Sequence, residues 1–319
     1  MLETIAKSIK NNKNILNKKE INPIVQYVDS NCFKNSRIFS SFGEDSSSIS
    51  SKNNLILLTT DRIDTVFIKN HPFGAGFSSI LVSVDDIYAC GGTPLAASII
   101  LSYKDEKIGK KILEGICEGS HKFKVPIIRG HTNLNENYYE LSSTIIGEIE
   151  KGSYISACSA NINDKIILAL DFDGKIGQAN KNYYDTTTFK SSKEVLRKRE
   201  SMQTLAKKKI VSASKDVSNG GIFGTILQLI KYSGVGADIN INNIEIPPIL
   251  VDSNYDLEMF SKMYLTTSFI LTTNYRYSSQ IIEIFKNYGM KAKIIGEIIK
   301  DKNLLKLNNN KKSIDVIKF

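Results

Sequence analysis

Hydrophobic and polar positions follow two different periods in the first half of the chain. Leu2, Ile5 and Ile9 recur at helical spacing, which predicts a short amphipathic helix, the first of two polar helices at the N-terminus. The segment 74–92 is largely apolar and rich in small residues, so we expect a buried helix that ends at a glycine pair. The other elements predicted here are β-like runs at 37–49 and 55–60 around a mobile loop at 50–54, strands at 94–103, 125–128 and 141–149, and an amphipathic helix at 107–123.

The second half of the chain shows a similar succession of elements. A continuous apolar run at 165–171 predicts a buried strand, and a glycine-bearing turn precedes an apolar helix at 222–233. The other predictions are helices at 192–209, near 255–262 and at 278–288, strands at 211–215, 268–272 and 291–299, and an edge strand or tail in the last twenty residues. Two successive α/β units predict an α/β (α+β) fold with domains at 1–152 and 153–319.

Composition and charge exclude several classes of protein. The 319 residues are 41% hydrophobic and 24% charged, which is typical of a globular chain. No apolar run approaches the ~18 residues that span a bilayer, and the N-terminus lacks the apolar core of a signal peptide, so we expect a cytoplasmic protein without a membrane partner. The net charge is +9, but most of the basic residues are scattered lysines, whereas nucleic acid recognition favours clustered arginines. We therefore expect no nucleic acid partner.

Cysteine chemistry does not explain the chain. Cys32, Cys90, Cys117 and Cys158 show no CxxC spacing, and no histidine lies at metal-ligand spacing from any of them. A chain of this size needs no disulfide bonds to fold. Zinc and disulfide frameworks are therefore not predicted.

Acidic residues stand out at four places in the pattern. Asp45 precedes a predicted strand, Asp61 follows one, and Asp216 joins a strand to a helix, whereas Asp85 and Asp86 lie inside the apolar helix. A buried carboxylate is costly unless it is paired or binds a metal. Each acid alone could be a helix cap or part of a buried salt bridge. Together, beside glycine, serine or threonine, they favour Mg²⁺ and a polyphosphate, because Mg²⁺ bridges carboxylates to phosphates.

Two segments are predicted to offer backbone N–H groups to phosphate. Residues 129–133 follow a strand and include His131, and residues 219–221 open the helix at 222–233. Either segment alone could be a plain turn, and His131 could be a structural donor rather than a catalytic base. These residues therefore indicate a Mg²⁺–nucleotide enzyme with an acid-lined cleft.

The order of these motifs resembles a known superfamily. The stretches GEDSSSI, TTDRID, VDDIYACGGTP, RGHTN and KDVSNGGIFG occur in the same order as in the aminoimidazole ribonucleotide (AIR) synthetase superfamily. That superfamily includes selenophosphate synthetase, thiamine-monophosphate kinase and the hydrogenase maturation protein that makes a nitrile. The N-terminal segment 2–25 and the segment 168–195 resemble the group called methanogenesis marker protein 2.

This resemblance implies an architecture and a set of site residues. Two α/β domains are expected, with the N-terminal domains of two subunits pairing into a β-barrel, and with ATP and Mg²⁺ in a cleft near that interface. The acids that correspond to the family's metal and phosphate ligands are Asp45, Asp61, Asp86 and Asp216, and the nucleotide-binding positions beside them are Thr60, Gly130, Thr132, Asn133, Gly220 and Gly221. The chain departs from the family pattern at three points: it has no glycine before Gly43, His131 stands where kinase-like members have an acid, and Arg129 replaces a glycine.

The leading hypothesis is therefore a homodimeric, Mg²⁺- and ATP-dependent enzyme that transfers the γ-phosphoryl group to a small molecule, with Asp45, Asp86 and His131 as catalytic residues. The alternatives are an ATP-binding accessory protein without turnover, a selenophosphate synthetase-like or thiamine-monophosphate kinase-like activity, and a basic scaffold that binds nucleic acid.

Segment 171–193 is assigned to the acceptor, with a solvated loop as the alternative. Its polar residues are Asp173, Gly174, Lys175, Asp185, Thr186, Thr187, Thr188 and Lys190.

Overall fold

The computed structural model describes residues 1–134, 136–178 and 180–318. The helices are α1 (Leu2–Lys10), α2 (Lys13–Glu20), α3 (Asn22–Asn31), α4 (Thr65–Asn70), α5 (Pro72–Ala89), α6 (Glu106–Phe123), α7 (Ser192–Lys208), α8 (Gly221–Ser233), α9 (Pro248–Asp252), α10 (Leu257–Phe260) and α11 (Ser278–Asn287). The strands are β1 (Ile38–Ser40), β2 (Ser47–Ser51), β3 (Asn54–Arg62), β4 (Thr93–Tyr103), β5 (Ile127–Leu134), β6 (Glu140–Glu150), β7 (Lys165–Leu170), β8 (Lys175–Ile176), β9 (Tyr183–Asp185), β10 (Ala213–Asp216), β11 (Gly236–Asn240), β12 (Tyr264–Leu265), β13 (Ser268–Thr273), β14 (Lys291–Ile299), β15 (Leu304–Asn308) and β16 (Ser313–Lys318).

The first sheet has six strands in the order β1-β2-β3-β6-β4-β5. Its strands alternate between a face that packs against α5 and an outer face, because successive side chains of a strand point to opposite sides. Leu57 and Ile145 are buried on the α5 side, whereas Leu58, Ile100 and Ile146 are exposed on the other. Within the described residues this sheet is open, so the barrel expected from two subunits is not formed by one chain.

Helices α5 and α6 cover the inner face of this sheet and touch each other closely. A Cβ atom at Gly76 would lie 2.1 Å from the carbonyl oxygen of Ile112, and one at Gly115 would lie 2.1 Å from that of Phe73. The two backbones can approach this closely only because both positions are glycine. Helix α5 ends as the sequence predicts, with Gly91 in the left-handed region at φ +79°.

The second sheet has seven strands in the order β10-β13-β7-β14-β11-β15-β16, and β12, β9 and β8 form a smaller sheet of three strands. One hydrophobic core joins α5 and the first sheet to α7, α11 and one face of β7 and β13. A second core lies on the other face, under α8, and also receives Leu2, Ile5 and Ile9 of α1. The N-terminal helix therefore packs with the C-terminal half of the chain.

Several elements differ from the sequence-based expectations because long-range pairing decided them. The N-terminal segment forms three helices rather than two, the run 37–49 is divided into β1 and β2, and the segment 129–133 lies inside β5 rather than in a turn. The last twenty residues form β15 and β16, the helix expected near 255–262 is present as the shorter α10, and α9 was not expected. Strands β8, β9, β11 and β12 were not expected. Among the described residues, no helix is both long and apolar enough to cross a bilayer.

Candidate functional site

Three carboxylates from distant parts of the chain meet beside α5. Asp45 lies in the loop before β2, Asp86 in the last turns of α5, and Asp216 at the end of β10. One carboxylate oxygen from each lies within 4.8 Å of the others. Asp216 is buried, Asp45 and Asp86 are half-buried, and the side chain of Asp45 is only 4% exposed. We call Asp45, Asp86 and Asp216 the acid cluster.

Strand β3 adds a fourth acid on the same side. Asp61 and Thr59 are two residues apart, so both point to the face of the sheet that packs against α5. Asp61 accepts a hydrogen bond of 2.7 Å from the Ser83 hydroxyl of α5, and the Thr59 hydroxyl donates to Asp86. The structure thus brings together the four acids that the sequence singled out as metal and phosphate ligands.

The acids of this site repel one another. Burial raises the pKa of Asp86 well above its usual range, and the charges of Asp61, Asp216 and Asp45 raise it further. Burial and Asp45 likewise raise the pKa of Asp216. Repulsion between close carboxylates is relieved either by a proton or by a bound cation. The oxygen-only donor set fits a hard divalent ion such as Mg²⁺.

Two lysines, which the sequence analysis did not select, supply part of that compensation. Lys215 forms an ion pair with Asp45, and although burial alone would lower the pKa of Lys215, Asp45 raises it. Lys18 of α2 is half-buried nearby, and desolvation together with the charge of Lys215 lowers its pKa to about 8. Its ammonium group donates to Gln228 Oε1 at 2.7 Å. Lys215 could have been found because it adjoins Asp216, but Lys18 lies in a polar, lysine-rich helix that carries no such signal.

The loop between Asp216 and α8 is shaped by two glycines. Gly220 and Gly221 have φ values of +97° and +64°, and a Cβ at Gly221 would lie 2.1 Å from the carbonyl oxygen of Ser261. Gly220 lies beside the side chain of Lys18, which places the start of α8 near the site. However, the N–H groups of Gly221 and Ile222 already donate to Ser218 and Ser261. The first turn of α8 is therefore partly satisfied without a phosphate.

Other predicted site residues lie apart from the acid cluster. Thr60 and His131 are on the outer face of the first sheet, where Thr60 shares a 3.0 Å hydrogen bond with Thr144 and His131 pairs in register with Ile100. Three further predicted positions, Gly130, Thr132 and Asn133, belong to the edge strand β5. Strand β5 is three strands away from β3 in the sheet, so the two strands are about 14 Å apart. The prediction of a phosphate-binding turn at these residues is wrong for a single chain, because they form a strand that pairs with β4.

Asp85 has a different role from its neighbour Asp86. Arg199 of α7 donates to both of its oxygens, from Nε at 2.6 Å and from Nη2 at 3.1 Å. Arg199 is fully buried, and its guanidinium carbon lies 5.0 Å from the centre of the Phe123 ring. Burial raises the pKa of the Asp85 carboxyl, and the charge of Arg199 opposes that shift. Asp85 thus forms the buried salt bridge that the sequence left open as an alternative.

The arrangement defines an α/β protein with an acid-lined site between its two sheets. Two family models match it: AIR synthase related protein, N-terminal domain, over residues 43–149, and AIR synthase related protein, C-terminal domain, over residues 177–305. The chain therefore belongs to the AIR synthase related family, a superfamily of ATP-using enzymes.

Individual relatives agree with this assignment. The uncharacterized protein MJ0640 of Methanocaldococcus jannaschii is 33% identical over 240 residues, which cover 75% of this chain and 72% of that protein. A thiamine-monophosphate kinase of Buchnera aphidicola is 27% identical over 254 residues, covering 73% of this chain and 76% of the kinase.

Solved structures share the fold. AaThiL, complexed with AMPPCP and TMP, matches with a TM-score of 0.68 at 15% identity and covers 93% of this chain and 96% of that one. T. maritima PurL, complexed with ADP, matches with a TM-score of 0.69 at 14% identity, over 88% of this chain but only 46% of the longer PurL chain. At these identities the likeness establishes the fold alone.

Proposed function

We propose that the protein is a Mg²⁺- and ATP-dependent enzyme that transfers the γ-phosphoryl group of ATP to a small molecule. The observation that carries this proposal is the acid cluster, whose three carboxylate oxygens lie within 4.8 Å of one another in a buried, self-repelling arrangement. The name of the thiamine-monophosphate kinase relative supports a kinase in particular. The acceptor is inferred separately, from a cavity at the other end of α5.

The residues of the site divide the work of such a transfer. Bound Mg²⁺ would neutralise phosphate charge and join the carboxylates to the nucleotide. Lys215 and Lys18 place positive charge beside the same position, where it can balance the γ-phosphoryl oxygens. The acceptor oxygen forms a bond to the γ-phosphorus while the bond to the bridging oxygen breaks. ADP leaves with that electron pair, and the acceptor's proton is released to water.

Isothermal titration with Mg²⁺–ATP tests the proposal directly. Asp86→Asn preserves the shape of the side chain and removes its charge, so it should weaken Mg²⁺–ATP binding at least tenfold. Asp216→Asn should behave alike, and the double variant should lose less than the sum because both acids serve one ion site. Asp315→Asn, at an exposed acid of β16, is the matched control and should bind as the wild type does. Wild-type affinity in all four variants would remove the acids from nucleotide binding.

A binding protein without turnover is the second candidate, and one observation favours it. His131, the predicted base, lies on the outer face of the first sheet and not at the acid cluster. Among the residues that the structure describes, no other histidine lies in the cluster either, since His71 and His121 belong to the ends of α4 and α6. Incubation with Mg²⁺–ATP and candidate acceptors decides between the two: ADP formation supports the enzyme, and tight binding without ADP supports the accessory protein.

The homodimer remains part of this proposal. The outer face of the first sheet carries Leu58, Ile100 and Ile146 at 41%, 45% and 36% exposure, and an apolar sheet face of this kind suits a second copy of the chain. A partner over that face would also cover Thr60 and His131. Light scattering should give twice 35.6 kDa, and Ile100→Glu should give 35.6 kDa. Ile162→Glu, at an exposed loop position, is the control, and a monomeric wild type at micromolar concentration would refute the dimer.

The finer assignments also remain proposals. These are membership of the methanogenesis marker protein 2 group and a selenophosphate synthetase-like or thiamine-monophosphate kinase-like activity. The resemblance implies a glycine-rich loop with a cysteine or selenocysteine near the N-terminus of selenophosphate synthetases, and the residues before Gly43 include no glycine, which argues against selenide chemistry. Assay of thiamine monophosphate and selenide as acceptors, each with Mg²⁺–ATP, separates the two activities.

A further inference from the structure

A cavity of about 480 Å³ lies at the opposite end of α5 from the acid cluster. Helices α4 and α5 contribute Phe67, Phe73 and Phe77 to its lining, and the chain around β9 contributes Tyr183 and Phe189. Phe73 and Phe189 are 42% and 40% exposed, so part of this aromatic lining is open to a ligand. A lining with several aromatic side chains favours a ligand with a flat ring.

The charges at this cavity favour an anion. Lys175 lies 4.3 Å from the centre of the Phe189 ring, and no ion pair of Lys175 occurs among the described residues. Lys111 adds a second ammonium group, which is paired with Glu114 at 2.8 Å. Asp185 is the acid of the lining, and its carboxylate already accepts hydrogen bonds from the backbone and side chains of Thr187 and Thr188. These donors stabilise the carboxylate and occupy its oxygens, so Asp185 has little hydrogen-bonding capacity left for a ligand.

Two stacked tyrosines connect the cavity to the surroundings of the acid cluster. Tyr183 lines the cavity together with Ser78 of α5 and stacks on Tyr264 at 5.3 Å between ring centres. The Tyr264 hydroxyl is buried without a hydrogen-bond partner among the described residues, and it lies within electrostatic reach of Asp216. Ser78 and Asp86 are eight residues apart on the same helix, which corresponds to about 12 Å. The cavity therefore lies about two turns of α5 away from the acid cluster.

Only part of the segment assigned to the acceptor from sequence takes part in this cavity. Lys175, Asp185 and Thr188 line it. Lys190 is instead buried in an ion pair of 2.7 Å with Asp171, and Thr186 hydrogen-bonds to Thr266 in the interior. The segment therefore contains both core and lining residues and is not a solvated loop throughout.

We propose that this cavity binds the acceptor, and that the acceptor is a flat aromatic molecule carrying an anionic group. That the ligand is an acceptor rests on the proposed phosphoryl transfer. The chemical class of the ligand is inferred from the lining of the cavity alone. The base and ribose of ATP are uncharged, so a nucleoside end would leave Lys175 without a counter-charge. An aromatic phosphate or carboxylate uses both the rings and the lysines.

Titration with 1-naphthyl phosphate tests this assignment without requiring turnover. The wild type should bind it, whereas 1-naphthol, which lacks the anion, and butyl phosphate, which lacks the ring, should bind at least about tenfold more weakly. Phe189→Ala and Lys175→Ala should each weaken 1-naphthyl phosphate about tenfold and leave Mg²⁺–ATP affinity within twofold. Phe33→Ala removes a ring that is 90% exposed elsewhere and serves as the control.

Three outcomes would overturn the inference. The first is no binding of 1-naphthyl phosphate to the wild type, and the second is equal binding by the cavity variants and Phe33→Ala. The third is a loss of Mg²⁺–ATP affinity in Phe189→Ala, which would make the cavity the site of the nucleotide base. Failure of the proposed function has a different signature, because Mg²⁺–ATP would then bind neither the wild type nor Asp86→Asn, while the 1-naphthyl phosphate titration would still decide the ligand class of the cavity.

Discussion

Asp85 and Asp86 are neighbours on one helix, yet their surroundings give them opposite roles. Asp85 faces α7 and forms a two-pronged ion pair with the buried Arg199, at 2.6 and 3.1 Å. Asp86 faces β3 and β10, where Asp61, Asp216 and Asp45 raise its pKa instead of compensating its charge. A turn of about 100° between successive helical residues is enough to send the two carboxylates to different sides of α5.

This difference distinguishes a structural acid from a binding acid. A carboxylate with a buried cationic partner is satisfied by the folded chain and has little to offer a ligand. A carboxylate packed beside other carboxylates is an unfavourable arrangement that a divalent cation relieves. The first should therefore contribute to stability, and the second should reduce stability until its ligand binds.

The largest expected effect comes from breaking the structural pair. Arg199→Met leaves Asp85 buried without its partner and also removes hydrogen bonds to Thr267 and Val195, so the free energy of unfolding should fall by about 3–5 kcal/mol. Urea denaturation measures this loss. Arg197→Met, at an exposed position two residues earlier on α7, should cost less than about 1 kcal/mol. Similar losses in both variants would contradict the structural role of the pair.

The same Asp-to-Asn change at the two neighbouring positions should act in opposite directions. Asp85→Asn removes the charge that balances Arg199 and should destabilise the protein. Asp86→Asn removes repulsion within the acid cluster and should stabilise the metal-free protein by about 1 kcal/mol. Both values can be measured by urea denaturation in EDTA at pH 8. A loss of stability in Asp86→Asn would show that this carboxylate is already compensated within the fold.

The acid cluster should also make stability depend on pH. The pKa values of Asp86, Asp216 and Asp61 are raised in the folded state, so between the unfolded and folded pKa values the folded protein binds more protons than the unfolded chain. Its stability should therefore fall as the pH rises through that window, from about 4 upward. Thermal melts in EDTA between pH 5 and 8 should show this fall, and millimolar Mg²⁺ should reduce it. Identical curves with and without Mg²⁺ would count against a metal at these acids.

The smallest expected effect concerns Lys18, one of the two lysines beside the acid cluster. Lys18→Gln keeps a donor for polar contacts and removes a charge near the phosphates, so Mg²⁺–ATP affinity at pH 7 should fall about fivefold, close to 1 kcal/mol. Lys13→Gln, at an exposed lysine of the same helix, is the control for titration calorimetry. If both variants bind equally well, Lys18 serves the packing of α2 rather than the nucleotide.

The sequence by itself determined the elements whose pattern is local. The apolar segment 74–92 predicted α5 because its composition demands burial and its terminal glycines end a helix. Asp45, Asp61, Asp86 and Asp216 stood out because an acid in an apolar setting is costly wherever it lies. Strand β7 matches the predicted run 165–171 to within one residue for a similar reason, since a continuous apolar run needs cover on both faces.

Only the tertiary structure decided which side each residue faces and what it meets there. Residues 129–133 contain glycine and polar side chains, which are typical of a turn, but pairing with β4 extends them into a strand and takes His131 away from the acids. Lys18 and Arg199 reach α5 from helices distant in sequence, so no local pattern could have assigned one to the acid cluster and the other to Asp85. Local periodicity sets the type of an element, whereas partners far along the chain set its neighbours, and a charged side chain takes its role from those neighbours.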